Sequence, residues 1–210
     1  MASLPGGHQT MVLAHRAMVG DLERLVGVAR RLTERGNVVH ASDLRRYCGM
    51  LLAVVEHHHQ GEDDFLWPRV EQRGGDVEAL RLMTTEHEEL AAALHRVRDT
   101  LDRLGENGQG ADQLAAHAEE LRGLVAGHAA DEERELLGRL APALDETVWK
   151  QFEKNMIRSA PLWTLRFMPP WLDAVAGEGD KGGVPLPLLA RGFRGWLRRQ
   201  RRHAFGDLQM

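Results

Sequence analysis

The sequence predicts an all-α protein, built as an up-down-up-down four-helix bundle with a C-terminal helical extension. Three observations predict this fold. Leu, Ala, Arg and Glu dominate the 210 residues, and these residue types favour helices over strands. Four long segments repeat their apolar residues every three or four positions, as amphipathic helices do. Short breaker sequences separate the segments, so consecutive helices are expected to run antiparallel.

The first two predicted helices are joined by a short turn. The first spans about residues 7–35 and stops at Gly36-Asn37. The second spans about residues 42–73, with Ser42 as its N-cap, and Pro68 is expected to kink its last turns because proline lacks a backbone N–H. Their inward stripes are Met11, His15, Met18, Leu22, Leu25 and Ala29, and then Leu44, Tyr47, Leu51, Val54, His58, Glu62 and Phe65.

The third and fourth predicted helices complete the bundle. The third follows Asp76 and continues to Leu104, where a glycine-rich turn at residues 105–110 ends it. The fourth spans about residues 111–140, and Pro142 closes it. Their inward stripes are Leu80, Met83, His87, Leu90, Leu94, Val97, Leu101 and Leu104, and then Leu114, His117, Leu121, Leu124, His128, Glu132 and Leu136.

A change of composition divides the chain into two parts. Residues 1–142 form the predicted bundle, and residues 143–210 form a helical, proline-containing extension that is expected to pack on the bundle. A fifth helix is predicted over residues 145–158, and a segment rich in Trp, Pro and Met follows at residues 160–172. No output domain of recognisable type is present in the extension.

The last segment, residues 188–203, is basic and amphipathic and allows two interpretations. Its arginines and apolar residues suit contact with a membrane surface. Alternatively, it packs on the acidic bundle as a cap, with Trp163, Phe167 and Trp171 closing one end of the bundle. We favour the cap, because the rest of the chain has a net negative charge without this stretch.

Composition excludes several classes of protein. The net charge of −4 gives no indication of nucleic-acid binding. The single cysteine, Cys48, excludes an internal disulfide framework and fits a reducing cytoplasm. The first ten residues lack the apolar core of a signal peptide, and no apolar run approaches the ~20 residues of a membrane span. A cytoplasmic protein is therefore expected, of an oligomeric state that the sequence does not indicate.

Histidine interrupts the apolar stripe of every predicted helix, and one histidine from each helix is a candidate for a common site. These are His15, His58, His87 and His128. An unpartnered ionisable side chain is costly to bury, so an ordinary core excludes it. Residues four positions apart share a helix face, so a glutamate placed four residues after a histidine presents its carboxylate to the same point. Two such pairs are present, His58 with Glu62 and His128 with Glu132.

Residue counts place these histidines at one depth in the bundle. From the bundle end formed by the turns at residues 36–40 and 105–110, His15 lies 20 residues away, His58 lies 16, and His87 and His128 lie 17 each. At a rise of ~1.5 Å per residue, the last three agree within a fraction of a turn. This convergence indicates a metal site. Imidazoles with two carboxylates suit a pair of first-row transition ions, and the lack of thiolate ligands argues against iron–sulfur or structural zinc sites.

At these residues the sequence resembles the hemerythrin-like HHE cation-binding family. The matching elements are His15, the segments HHHQGEDDFLWP, EHEEL and HAADEERELL at residues 57–68, 86–90 and 128–137, and their order over about residues 8–142. The resemblance implies a hemerythrin-like bundle and a set of metal ligands, two of which, Glu62 and Glu132, would bridge the metals. The implied ligands are His15, His58, Glu62, His87, His128 and Glu132.

The chain departs from the family pattern at one position. Four residues after His87, where the family often has a further ligand, this sequence has Ala91. Either water or a substrate takes the vacant metal position, or another residue replaces the ligand, with His57 and Glu86 as the nearest candidates. The departure argues against reversible oxygen carriage, and an open position favours reactivity.

Other polar residues are expected to have other roles. His57 and His59 flank the stripe and are expected to lie outside the ligand set, with contact to the metal or its surroundings as the alternative. Asp63 and Asp131 are expected at the surface, with hydrogen bonding to ligand imidazoles as the alternative. His117 lies too far along its helix to join the site. Surface positions are predicted for His8, His40, His95 and His203.

The leading functional hypothesis is a cytoplasmic non-heme di-iron protein that reacts with O2, peroxide or nitric oxide. Its turnover would be of the oxidase or peroxidase type, with a small-molecule substrate as a further partner. Two iron ions are the expected cofactor, ahead of manganese or zinc. The alternative is a module that binds or senses O2, NO or iron reversibly and without turnover. A third interpretation is a structural site with a single metal or zinc.

Overall fold

The computed structural model describes residues 6–36 and 38–206 of the chain. Across these residues the chain forms helices and turns and no strand, which confirms the predicted all-α fold class. The α-helices of the described residues are α1 Gly6–Arg35, α2 Ala41–Gly61, α3 Trp67–Gln72, α4 Val77–Arg103, α5 Ala111–Leu137, α6 Glu146–Ser159, α7 Thr164–Asp173 and α8 Pro187–Phe205. Within the same two ranges, no helix combines the length and the apolarity needed to cross a membrane.

The four long helices enclose the core. α1 packs against α5, α5 against α4, α4 against α2 and α2 against α1. The apolar residues predicted to face inward on α1 are buried, among them Met18, Leu22 and Leu25 at 0% exposure. Gly36 ends α1 with a φ of 70°, a left-handed conformation that glycine adopts without strain. Asn37, the second residue of the predicted stop, lies outside the described residues.

The second helix begins within one residue of the predicted position, but the prediction that Ser42 is its N-cap is wrong, because Ser42 lies inside α2. His40 holds the N-cap position in an extended conformation, with a ψ of 126°. The His40 carbonyl oxygen accepts hydrogen bonds from the N–H groups of Asp43 at 3.0 Å and Leu44 at 3.1 Å. The first residue of the helix, Ala41, precedes the serine that the capping preference selected, and its N–H donates a hydrogen bond of 3.1 Å to Oε2 of Glu106 instead of to a capping side chain at position 40.

Pro68 interrupts the second helix earlier than the sequence predicted. A π-helical turn, Glu62–Leu66, separates α2 from α3, and the N–H of Trp67 donates to the carbonyl of Glu62, five residues earlier. Pro68 then lies in the first turn of α3, where its missing N–H is not needed. The π turn inserts one extra residue, which rotates all later side chains by about 100° around the helix axis.

The last two bundle helices begin and end close to the predicted positions. Asp76 caps α4, and its Oδ1 accepts a hydrogen bond of 2.8 Å from the N–H of Ala79. α5 ends at Leu137, three residues before the predicted Leu140. The chain turns there because the N–H groups of Gly138 and Leu140 both donate to the carbonyl of Glu135.

Several elements of the extension pack against the bundle. α6 packs against α1 and α2, so close to Gly61 that a Cβ there would lie 2.1 Å from Sδ of Met156. α8 packs against α7 and α2. Phe167 and Trp171 on α7 are fully buried, whereas Trp163 remains 36% exposed.

A buried polar cluster ties the extension to the bundle, and we call it the Asp21 cluster. Asp21 is fully buried and accepts hydrogen bonds from the Tyr47 hydroxyl, from Trp171 Nε1 at 2.7 Å and from Arg201 Nη2 at 3.1 Å. Arg24 adds a bond of 2.8 Å from its Nη1. The cluster therefore joins α1, α2, α7 and α8 around one carboxylate.

Candidate metal centre

The four core histidines meet at one level of the bundle, as the residue counts predicted. His15 on α1 and His58 on α2 place their Nε2 atoms 3.1 Å apart. His87 on α4 and His128 on α5 place theirs 3.2 Å apart. Because successive helices of the bundle alternate in direction, residues counted forwards along one helix and backwards along the next reach the same level of the bundle.

The cluster divides into two groups of side chains that could each hold a cation. One group consists of His15, His58, Glu62 and Glu132. The other consists of His59, Glu62, His87 and His128. Within each group the ligand atoms lie within 4.8 Å of one another, and Glu62 belongs to both groups. The structure thus brings together all six residues named by the sequence, and their role as metal ligands stays a prediction.

Glu132 belongs to the first group but also approaches the second. Its Oε2 lies 3.1 Å from Nε2 of His15 and 3.9 Å from Nε2 of His128. Glu62 lies between the groups more evenly, with Oε1 3.0 Å from Nε2 of His58 and Oε2 3.5 Å from Nε2 of His87. Glu62 therefore lies between the two groups, whereas Glu132 lies mainly in the first, and the bridging role of both carboxylates stays a prediction.

His59 is the member of the cluster that the sequence reasoning left out. Its ring centroid lies 4.9 Å from that of His87 and 5.0 Å from that of His128. Its Nδ1 shares a hydrogen bond of 2.9 Å with the Val55 carbonyl, which directs Nε2 away from its own backbone. A residue one position after His58 is rotated by about 100° from the stripe, so periodicity excluded it. The available signal was the run of consecutive histidines.

The two residues suggested as replacements for a ligand at position 91 have different partners. His57 lies outside the cluster, with Nε2 3.0 Å from the Ser159 hydroxyl. Glu86 contacts the ring of His128 on the side away from the centre, with Oε2 2.8 Å from Nδ1. Neither belongs to the groups of four.

Carboxylates hold three of the cluster imidazoles from the side opposite to the centre. Asp63 lies 2.8 Å from Nδ1 of His87, Glu86 lies 2.8 Å from Nδ1 of His128, and Glu133 lies 3.3 Å from Nδ1 of His15. Each carboxylate accepts a hydrogen bond from the Nδ1–H group of its histidine, so Nε2 stays directed at the centre, as in metal-bound histidines. Asp131, the other acid considered for this role, instead pairs with Arg134, which lowers the pKa of Asp131.

The pKa values of three side chains in the cluster are strongly shifted from their usual values. Burial raises the pKa of Glu62 well above its usual value, and the carboxylate of Glu132 raises it further. Burial alone would also raise the pKa of Glu132, but the neighbouring His15 lowers it to about 2. Burial alone would lower the pKa of His15, but Glu132 and Glu133 raise it to about 9. Without a cation, the cluster therefore contains a His15–Glu132 ion pair at neutral pH, and the fold disfavours the charged form of Glu62.

Two other imidazoles of the cluster are neutral at physiological pH. Burial lowers the pKa of His58 well below its usual value, and the adjacent charge of His15 lowers it further. Burial has the same effect on the pKa of His59, with the neighbouring histidines adding to it. Neutral imidazole is the form that binds a metal ion.

The buried polar atoms of the cluster fit a pair of cations. Both oxygens of Glu62, both oxygens of Glu132 and Nε2 of His59 are buried and have no hydrogen-bond partner in suitable geometry. Each buried group without a partner costs about 1–3 kcal/mol. Cations within the two groups would satisfy these atoms, because carboxylate oxygens and imidazole nitrogens are good ligands for first-row transition ions.

The prediction that His8 lies at the surface is wrong, because His8 is only 3% exposed. Its ring stacks at 5.9 Å from that of Trp149, whose helix α6 covers this end of α1. This burial lowers the pKa of His8. The sequence missed it because the covering residue belongs to the extension.

We expect Asp63→Asn to weaken metal binding by about 10- to 100-fold, since the amide no longer fixes the tautomer of His87 with a full negative charge. Equilibrium competition with a chromophoric chelator measures this change. Asp64→Asn is the matched control, because the exposed Asp64 contacts Gln60 rather than a cluster histidine. Equal affinities of the two variants would contradict the role assigned to Asp63.

Comparison with known proteins gives one match. The family model described as hemerythrin HHE cation binding domain matches residues 7–140. No curated protein and no solved structure matches the chain. The matched residues hold every member of the two four-residue groups. The family match covers more than half of the sequence, and the chain therefore belongs to the hemerythrin family of HHE cation-binding domains.

Proposed function

We propose that the protein is a non-heme di-iron protein that reacts with O2, peroxide or nitric oxide, with turnover of the oxidase or peroxidase type. The observation that carries this proposal is the sharing of Glu62 by two groups of histidine and carboxylate ligands. A single structural ion would require only one such group. Two neighbouring groups with a common carboxylate support a pair of metals whose redox chemistry is coupled.

Each metal position would be held by residues already in contact. His15, His58 and Glu132 would hold the first position, and Glu62 would be common to both. His59, His87 and His128 would hold the second. Two ferrous ions in these positions would supply one electron each to a two-electron acceptor such as peroxide.

The protein residues around the centre control water and protons. Every residue of the two groups is buried, with His58 the most exposed at 8%, so solvent has little access to the ligand atoms. The carboxylates behind His15, His87 and His128 keep each Nδ1 proton in place, because each accepts a hydrogen bond from that atom. Bound cations would stabilise the charged form of Glu62, which burial and the carboxylate of Glu132 otherwise disfavour by raising its pKa.

The number of protein ligands favours catalytic turnover over reversible carriage of oxygen. Each group offers four side chains, so an ion with octahedral preference keeps positions for a small molecule. Ala91 cannot ligate, and His59 would serve the same metal position from α2 rather than from α4. Reversible binding or sensing of O2, NO or iron is the second candidate, since the extension α6–α8 packs on the bundle and could report a change there.

The decisive experiment measures metal content per chain in protein from iron-supplemented cells, together with an optical spectrum in air. We expect about two irons per chain and near-ultraviolet bands of an oxo-bridged pair. Catalysed loss of peroxide, or O2 uptake with a reductant, then supports the enzyme. A stable spectrum of an oxygenated form supports the reversible binder instead. One zinc or no metal in folded protein would overturn the di-iron proposal.

Metal loading should release protons and strengthen with rising pH. At pH 7 His15, with a pKa of about 9, carries a proton. Metal binding displaces it, so at least about one proton per chain should be released. Affinity should therefore rise with pH up to about 9, where His15 loses its proton unaided. Calorimetry in buffers of different ionisation heat measures the release, and loading without any release would contradict the assigned protonation states.

A further inference from the structure

The turn between α6 and α7 exposes four large apolar side chains, Ile157, Leu162, Trp163 and Leu165, which we call the apolar corner. Ile157 is 71% exposed and Leu162 is 86% exposed. Eight large apolar side chains among the described residues are exposed, and half of them lie within residues 157–165. Exposed apolar residues that are scattered singly need no explanation, but a concentration of this kind marks a contact surface.

Hydrogen bonds fix the apolar corner in this exposed conformation. The carbonyl of Pro161 accepts from the Thr164 hydroxyl at 2.7 Å and from the Thr164 N–H at 3.0 Å. The Ser159 hydroxyl lies 3.0 Å from Nε2 of His57 on α2, which attaches the corner to the side of the bundle. Leu162, between these bonded residues, is therefore held away from the core by the turn itself.

Cations without acidic partners surround the apolar corner. Residues 154–172 contain Lys154, Arg158 and Arg166 but no Asp or Glu. In the part of the chain that the structure describes, none of these three cations forms an ion pair. The Arg166 guanidinium instead lies 4.3 Å from the centroid of the Trp196 ring. Several arginines of the bundle, by contrast, pair with glutamates on neighbouring helices. The unpaired charge at the corner would attract a negatively charged surface.

An apolar tip surrounded by cations matches an anionic lipid bilayer. The high exposure of Leu162 makes the corner convex, whereas a stable interface between proteins uses about 20–30 residues a side. A bilayer accepts a small projecting tip, because its acyl chains surround the apolar side chains and its phosphates contact the cations. The amphipathic α8 cannot insert in this way, since Leu197 and Phe205 are buried against the rest of the chain.

We propose that the apolar corner docks the protein on membranes that contain anionic phospholipids. In the docked state Leu162 and Leu165 lie among the acyl chains, and Trp163 lies at the level of the headgroups, where tryptophan is favoured. Lys154 and Arg158 contact the lipid phosphates. This inference concerns a surface outside the metal centre and does not depend on the proposed function.

Co-sedimentation of the full-length protein with lipid vesicles measures the docking. We expect binding to vesicles of phosphatidylserine and phosphatidylcholine in equal parts to be at least about tenfold tighter than to pure phosphatidylcholine. Added salt should weaken it, because the attraction to the headgroups is screened. Lipids with brominated acyl chains should quench part of the tryptophan fluorescence, and this quenching should be lost in Trp163→Phe.

A pair of substitutions tests the apolar contact. Leu162→Ser combined with Leu165→Ser should weaken binding to the mixed vesicles at least about tenfold, since two apolar side chains no longer leave water. Val77→Ser combined with Leu137→Ser is the matched control. These two side chains are also exposed, but they lie outside the apolar corner, so this variant should bind as the wild type does.

A second pair tests the charges. Lys154→Gln combined with Arg158→Gln should weaken binding to the mixed vesicles by about tenfold and leave binding to pure phosphatidylcholine unchanged. Arg35→Gln combined with Arg103→Gln removes the same net charge where α1 and α4 end, far from the corner. This control should bind the mixed vesicles as tightly as the wild type.

Each outcome decides for or against the membrane. Loss of vesicle binding that is confined to the two corner variants supports the inference. No binding by the wild type, equal binding to both kinds of vesicle, or unchanged binding by the Leu162→Ser and Leu165→Ser variant overturns it. Sedimentation velocity without lipid tests a second copy of the chain as the partner. A wild-type dimer that becomes monomeric in the same variant, with no binding to vesicles, would assign the corner to self-association and overturn the inference.

Discussion

Glu62→Gln is expected to abolish occupancy of the metal pair, lowering metal content from about two ions per chain to less than one. The amide cannot bridge two cations as a carboxylate does, and Glu62 is the residue that both groups share. The stabilisation that bound metal gives the fold, about 4 kcal/mol at a thousandfold excess over Kd, should be lost with it. Metal analysis and thermal unfolding with and without metal measure the two effects.

In the absence of metal, Glu62→Gln should have the opposite effect on the stability of the fold. Burial in the fold raises the pKa of Glu62 above its usual value of 4.5. At pH values above 4.5, the wild-type carboxyl therefore tends to take up a proton when the protein folds. This penalty grows as the pH rises above 4.5, and a neutral amide does not incur it. At pH 7 the metal-free variant should therefore be at least as stable as the metal-free wild type.

Glu89→Gln is the matched control for this substitution. It makes the same chemical change on the exposed surface of α4 and should alter neither metal content nor stability. Loss of stability by metal-free Glu62→Gln, or retention of both metals, would contradict the place we give to Glu62.

Asp21→Asn is expected to destabilise the protein by about 3–5 kcal/mol, because it leaves the buried Arg201 without a counter-charge. For a chain of this size, the melting temperature should fall by about 10 °C. The loss should appear first in α8, where Arg201 lies, and hydrogen exchange of the α8 amides measures it. Metal content should remain unchanged, because no member of the Asp21 cluster belongs to the metal groups.

Two further variants test whether the buried charge of Arg201 causes the loss of stability. Glu119→Gln breaks surface ion pairs with Arg30 and Arg122 and should cost less than about 1 kcal/mol. Combining Asp21→Asn with Arg201→Met removes the uncompensated charge, and part of the lost stability should return. A double variant as unstable as Asp21→Asn alone would indicate that packing of α8, rather than charge, carries the effect.

Much of the centre could be predicted from the sequence because helix geometry is local. Histidines on the inner stripes, and glutamates four residues after two of them, fix which side chains share a face. Short turns between helices of similar length then fix their depth, and His15, His58, His87 and His128 do converge in the structure. The pattern over residues 7–140 also carried enough information to predict the family.

The sequence failed where a side chain's surroundings come from another part of the chain. His59 lies off the stripe of α2, yet the rings of His87 and His128 enclose it from α4 and α5. His8 lies at the start of α1 and is buried by Trp149, about 140 residues later. Periodicity along one helix cannot report either contact.

The sequence by itself determined the helical class, the inward histidines and glutamates, and the family. Only the tertiary structure decided that the centre has two groups joined at Glu62, that His59 completes one of them, and that Asp21 holds the extension to the bundle. The physical reason is that these features depend on atoms a few ångströms apart in space but far apart in sequence. The π turn at Glu62–Leu66 shows the same limit, because Pro68 predicts a disturbance but only packing selects its geometry.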